Sequence, residues 1–460
     1  PLFKRSRGHR KVEMWLVCLI MSLGVVFTIG FGFLVGQELR GKTRFQPFST
    51  YALLIAELPL KLKQAYAQVF RLELALPSDP GSEFEGFQGK SNTAEIYLLQ
   101  SRYDGDRKES VVELVDLRNF QIIHHWNPDL DSINKMMVET PTIDQQFLDE
   151  QMVNFADYRA MIWHPMLLEN GSLLYGNRSL QKISKCGDLI WQNFDDVVHH
   201  SIEKDVDGNF WVPVQMSPLT GNAKVFGRNY QDFTEDAVRQ ISSTGKTIFT
   251  KSLLEIFQEN DLDLMLTGRG HFNKDPFHLN DIQPALETTE NWLQGDLFLS
   301  IRDQSMIMHY RPSTNEVINI IEGSFVHQHD VDLLSGGRIS IFDNNARVSF
   351  TNDLLPEISK VKIYNLETKK FSSYLDNALA DDNVQTTIHG RSQILPNGDL
   401  LVEQTQSGRL LYYNSLGSLQ WQHVNRASDG RVYPIRWSRI LYKTDDLDNV
   451  ASLLAAERCY

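Results

Sequence analysis

The feature that most limits what this chain can fold into is a recurring signature: an apolar run, a polar turn holding Gly or Asn, and a second apolar run. Residues 181–191, 239–249 and 411–421 carry it most clearly, and looser copies lie at 112–124, 307–320 and 361–374. Short apolar runs bounded by turn residues read as β-hairpins. A second hairpin precedes the first in most copies, around Gly171, Gly208, Gly337 and Gly398. Tandem hairpins make a four-stranded sheet, and such sheets repeating at a variable period define a β-propeller. Six copies predict an all-β, six-bladed propeller over residues 93–445, with Ile435–Tyr442 as the strand that closes the ring onto the first blade. The longest insertion, 251–275, contains a short helix and is expected to overhang one mouth of the channel.

The N-terminal part differs in kind. Trp15 to Val35 carries no charged side chain, and at about 1.5 Å per residue such a helix crosses about 30 Å of hydrocarbon. Lys4, Arg5, Arg7, Arg10 and Lys11 precede it, against Arg40, Lys42, Arg44 and Glu38 beyond it. That bias predicts a cytoplasmic basic tail (1–12), a single-pass anchor in the lipid bilayer (13–36) and a propeller on the periplasmic or extracytoplasmic side. A cleavable signal peptide is the competing reading, but Leu34-Val35-Gly36-Gln37-Glu38 offers no small-x-small site. Leu53, Leu54, Leu58, Leu60, Leu62, Tyr66, Val69 and Phe70 recur at helical spacing, with Pro59 as a kink or break. Residues 37–92 therefore read as a helical stalk and a Pro-, Gly- and Ser-rich linker, and 446–460 as a C-terminal tail.

Three cysteines build no disulfide framework: Cys18 lies in the apolar span, which leaves Cys186 and Cys459 to pair or not. The net charge of -13, with no basic stripe after residue 44, excludes nucleic acid as a partner.

The histidines carry the chemistry. His164, His200, His329 and His389 precede the hairpin glycines by seven, eight, eight and nine residues, and His278 stands similarly before Gly295 with a longer connection. Equivalent positions of successive blades converge on the propeller axis, so these five are expected to ring one end of the channel. His9, His124, His125, His271, His309 and His423 fall outside the pattern and are given no chemical role.

Around three of the five the context is specific in its order: His278-Leu279-Asn280-Asp281, then Ser300-Ile301-Arg302 after Gly295-Asp296, then Gln328-His329-Asp330 before Phe342-Asp343-Asn344. Here the sequence resembles the bacterial arylsulfotransferases, propeller enzymes that move a sulfuryl group between phenols without a nucleotide sulfate donor. The resemblance spans residues 160–440. It implies an aryl sulfate donor and a phenolic acceptor, His329 as the nucleophile that becomes sulfated, and His278, Asn280 and Arg302 as sulfate-binding neighbours. His200, or its neighbour His199, matches the remaining active-site histidine, and spacing to the glycine favours His200. Soluble relatives carry an N-terminal β-sandwich and a closely spaced cysteine pair, and neither has a counterpart here.

The residue types suit that chemistry independently. Sulfuryl transfer has a loose transition state, so alignment and charge stabilisation are most of the task. Neutral imidazole can attack sulfur, and a second histidine can protonate the departing phenolate. No cofactor or metal is required. Two rival readings remain open: a non-catalytic propeller binding a partner or glycan at the membrane, and a metalloenzyme in which converging imidazoles ligate an ion such as zinc.

Overall fold

The computed structural model describes residues 14–40, 42–69, 84–130, 132–133, 161–216, 219–220, 233–267, 275–349, 354–457 and 459. The basic tail, most of the linker, Phe70 and His271 therefore lie outside the described residues. The chain divides into two compact units, residues 1–72 and 73–460.

In the first unit an apolar helix, Met14–Leu39, encloses the expected span and has no buried residue. It is long and apolar enough to cross a membrane, the property shared by anchors and signal sequences. A second helix, Phe48–Val69, runs through Pro59 rather than breaking there; only the proline's own amide bond is forgone.

The second unit is a propeller-like arrangement of antiparallel sheets. Three have four strands, one has five, one has eight, and a two-stranded ribbon joins Arg347–Val348 to Leu354–Leu355. The three clear hairpin copies turn the same way: the amides of Gly187, Gly245 and Gly417 donate to Ser184, Ser242 and Asn414 three residues back, at 3.0, 2.9 and 2.9 Å. All three glycines have φ between 84° and 92°, where a Cβ is strained.

Blade number departs from the sequence expectation. Four separate blade-sized sheets form, not six, because the strands from Trp163–Leu167 to Thr247–Ser252 join one continuous sheet. The join is the pairing of Val198 with Val214 and Val197 with Gln215, made as the long strand Leu189–Val198 extends to reach Phe210–Gln215.

Both ends of this unit are sewn into sheets. Arg439–Leu441 pairs with Tyr97–Leu99 at the edge of the first sheet, as the candidate closing strand predicts. Gly86–Gly89, read as linker, instead adds a fifth strand against Trp421–Val424 of the last sheet. The residues read as a tail form a helix, Thr444–Ala455, whose Val450 and Leu453 pack with Leu167 and Leu173. Beyond it Cys459 is disulfide-bonded to Cys186. Of the 251–275 insertion, residues 268–274 lie outside the described residues; its expected short helix forms at Leu253–Glu259 and buries Leu253, Leu254, Ile256 and Phe257 in a core cluster with Phe277 and Leu279.

The inner strands are tied to one another around the axis by side chain to backbone bonds. Ile282 N donates to Ser201 Oγ (3.0 Å), Val331 N to Asp281 Oδ2 (3.0 Å), Ser392 N to Asp330 Oδ2 (3.1 Å) and Ile440 N to Gln393 Oε1 (2.8 Å). Burial raises the Asp281 carboxyl to about 8 and pushes Asp330 well above the ordinary carboxylate range.

Candidate active site

Three of the five histidines enter the axis from one backbone conformation. His164, His200 and His278 have φ of 51°, 58° and 49°, the left-handed region that non-glycine residues seldom occupy. In the next inner strand that conformation belongs to His327 (φ 52°), not His329, and after His389 it falls to Gly390 (φ 104°). Counting back from the turn glycines therefore misregisters His329 by two residues. His327-Gln328-His329-Asp330 is laid out like His278-Leu279-Asn280-Asp281: a left-handed residue, then three positions later an aspartate accepting the amide of an adjoining inner strand. His329 thus occupies the place of Asn280, two residues beyond the left-handed position that His164, His200 and His278 take.

The expected convergence occurs. The ring centroids of His278 and His329 each lie 5.2 Å from that of His200, and His389 lies 5.7 Å from His329. His164 stacks at 3.9 Å on Trp437, which in turn lies 5.0 Å from His329. Trp163, His164, His200, His329, His389, Thr405, Arg436 and Trp437 line one pocket.

Each sequence motif has a local purpose. Gln328 donates to Ser300 Oγ (3.2 Å) and Met306 O (2.8 Å), fixing the turn before His329. Asn280 Nδ2 donates to Gln328 O (3.1 Å), supporting the same turn, while its buried Oδ1 has no bonding partner among the described residues. Asn344 donates to His389 O (2.6 Å) and Thr386 O (3.0 Å), and Asp343 accepts the amides of Val326 and Asn345, so Phe342-Asp343-Asn344 braces the loops that carry two of the histidines.

The imidazoles are unequal. His278 Nδ1 is 2.5 Å from Asp275 Oδ2, a carboxylate the sequence reading missed. His200 Nδ1 is 2.5 Å from His199 Nδ1, and His199 Nε2 lies 3.3 Å from the buried Asp236 without hydrogen-bond alignment. His199 therefore stands behind His200, away from the pocket lining. His329 is 1% exposed, yet neither ring nitrogen has a hydrogen-bond partner among the described residues. Burial first, and then neighbouring positive charge, holds His164, His200, His329 and His389 well below the ordinary histidine range; for His329 those neighbours include Arg302, Arg436 and Arg391. The nitrogens of His200, His329 and His389 lie within 4.8 Å of one another. Three guanidinium groups acting on the same ring oppose a cation there and suit an anion.

Arg302 is placed near the cluster by its amide, which donates to His278 O at 3.2 Å. Its guanidinium, however, is ion-paired with Asp303 at 2.7 Å. Trp163, Arg436 and Trp437 complete the pocket and were not singled out from sequence. Their one signal is position: Trp437 (φ 59°) takes, before the closing strand, the left-handed conformation that histidines take before others.

This arrangement is an axial pocket on a propeller-like scaffold that brings His164, His200, His329 and His389 together beside Arg436. The family model of the arylsulfotransferases (ASST) matches residues 164–426, more than half of the 460-residue chain. The chain belongs to the arylsulfotransferase family. No curated protein matches it. Among solved structures it is similar to a protein of unknown function from Bacteroides caccae, with a TM-score of 0.44 and 12% identity over 75% of this chain and 98% of that one. A streptogramin B lyase aligns at a TM-score of 0.37 and 9% identity over 77% and 96%, and a chain of a nidogen/laminin complex at 0.41 and 6% over 75% and 98%.

Proposed function

We propose that this chain is a membrane-anchored arylsulfotransferase that moves a sulfuryl group from an aryl sulfate to a phenol through a sulfohistidine at His329, without a nucleotide donor. The observation that carries the reading is the state of His329: buried, held neutral, with both ring nitrogens unbonded among the described residues, in a pocket shared with His200 and His389. A buried polar group left without a partner costs about 1–3 kcal/mol, so its retention needs a reason. A nucleophile supplies one, since its lone pair must be free to reach sulfur.

In the first half-reaction a ring nitrogen of His329 attacks sulfur. The S–N bond forms, the S–O(aryl) bond breaks, and the phenolate leaves with a proton delivered by the His278 imidazolium that Asp275 supports. In the second, the acceptor phenol gives its proton to the same base while its oxygen takes the sulfuryl group and His329 regains its lone pair. The Asp275 carboxylate on His278 Nδ1 leaves that ring's Nε2 for the transfer and supports the imidazolium it forms. Asn280 and Arg302 act as the sulfate-binding neighbours.

The positive flank of the Met14–Leu39 helix and the Cys186–Cys459 disulfide both favour a propeller outside the cytoplasm, where disulfides persist. Intact mass after incubation with an aryl sulfate tests the reading. A sulfuryl-sized increment that maps to His329 is the expected result, and its absence with every aryl sulfate tried removes the proposal.

A further inference from the structure

Arg302, the arginine that family resemblance points to, has its charge matched by Asp303 and does not line the pocket. Arg436 does line it, and no hydrogen bond or ion pair from its guanidinium exists among the described residues; its Nε–H is buried without an acceptor. The carboxylate acting on it most, Glu403, is engaged elsewhere: Oε1 accepts Thr405 Oγ1 (2.7 Å) and Trp437 N (2.7 Å), and Oε2 accepts Ser438 N (2.6 Å). Those same bonds fix the corner on which Arg436 sits, and Arg436 N donates to Ser101 O at 2.8 Å. The guanidinium carbon lies 5.3 Å from the Trp163 ring centroid, over the same ring that Arg178 covers at 5.4 Å. Next to it the Trp437 indole N–H is also buried with no acceptor. Burial lowers Arg436 only to about 10, so it is charged at neutral pH.

A rigidly held cation and an indole N–H, both buried and both unmatched, facing imidazoles that are neutral, make a pocket short of one negative charge. An aryl sulfate monoester brings one. We infer that Arg436, with the Trp437 indole N–H beside it, is a further catalytic oxyanion holder besides Asn280 and Arg302, binding the non-bridging sulfuryl oxygens of donor and sulfohistidine, a role that rests on the transferase reading above. Arg436 keeps its proton throughout; it balances the charge while the S–O bond breaks and the S–N bond forms. Trp163, Arg436 and Trp437 all lie outside the 164–426 stretch that matches the family.

The test is calorimetric titration of inorganic sulfate into the detergent-solubilised full chain, alongside phenol release from an aryl sulfate. Arg436→Gln is expected to weaken sulfate binding at least about tenfold and to slow phenol release by about 10²–10³-fold, with Arg436→Lys recovering part of the binding. Trp437→Phe, which keeps the ring and removes only the N–H, should lose severalfold in sulfate affinity with an unchanged melting temperature; it serves where Arg436→Gln fails to fold. Unaltered sulfate affinity in both Arg436→Gln and Trp437→Phe overturns the assignment. If wild-type protein binds sulfate through Arg436 yet never forms an adduct on His329, the anion site stands and the transferase reading falls. If the adduct forms equally in Arg436→Gln, the reverse holds.

Discussion

His309, inside the strand Met306–Arg311, and His329, one residue ahead of the strand Asp330–Leu334, are both 1% exposed, yet they live in opposite states. His309 Nε2 is 2.8 Å from Asp296 Oδ2, Asp296 is also held by Arg311 at 2.7 and 2.8 Å, and the ring stacks on Phe298 at 4.4 Å. His329 has no hydrogen bond to either ring nitrogen among the described residues and faces a pocket. The first is what a fold does with a buried imidazole when it only needs shape. The second keeps an unsatisfied group at the axis, where partly strained backbone and unmatched arginines also collect, and that concentration marks a site rather than a scaffold.

The contrast breaks most directly at His329. His329→Asn is expected to lower phenol release from an aryl sulfate by at least about 10³-fold, measured in single turnover, with no loss of melting temperature, because no native hydrogen bond of the ring is lost. Near-normal turnover in this variant would put His329 back among the structural histidines. On the scaffold side, Cys186→Ser should cost about 2–4 kcal/mol in denaturant unfolding while phenol release at a temperature well below the melt stays within about twofold; a large kinetic loss would mean that the C-terminal staple shapes the pocket.

His309→Ala is expected to cost about 1–3 kcal/mol in the same unfolding measurement, since it strips a partner from the buried Asp296 while Arg311 remains, and to leave the rate unchanged. The smallest effect concerns pH. His329 is held well below the ordinary histidine value, so its lone pair survives acidification, and donor kcat/KM should not fall as the pH is lowered from 8 to 6. An acid limb centred near 6.5 would report an ordinary imidazole instead. Stability moves the other way from that rate. A histidine whose folded value is depressed, as for His329 and His309, contributes stability that is present above about pH 6.5 and lost as pH falls toward the folded value.

The hairpin signature was legible because its turn demands a left-handed glycine at one place, and Gly187, Gly245 and Gly417 obey it. The merging of 163–252 into one sheet was not, because it depends on the 10-residue strand Leu189–Val198 outrunning the 6-residue strands Thr247–Ser252 and Leu419–Val424 of its copies, a matter of pairing rather than pattern. At the site, convergence of His200, His278 and His329 followed from repeat position even though the register of His329 was off by two. Arg436 and Trp437 escaped notice because an arginine in a candidate strand says nothing of whether an acid will meet it. Asp275 escaped because the approach of its carboxylate to His278 is set by loop path.

The Arg439–Leu441 strand, paired to Tyr97–Leu99, has a consequence in time as well as space. A ribosome delivers residues 97–99 more than three hundred positions before their partner, so the first sheet waits with an open edge for nearly the whole of synthesis. Arg436 and Trp437 arrive with that same late segment, a few residues ahead of the closing strand. The pocket wall and the ring closure are therefore completed in one event, and an unfinished or stalled chain emerges with no competent site. Exposed edges of this kind are what chaperones cover while a chain folds, which makes the closing strand the natural checkpoint of biogenesis for a protein of this build.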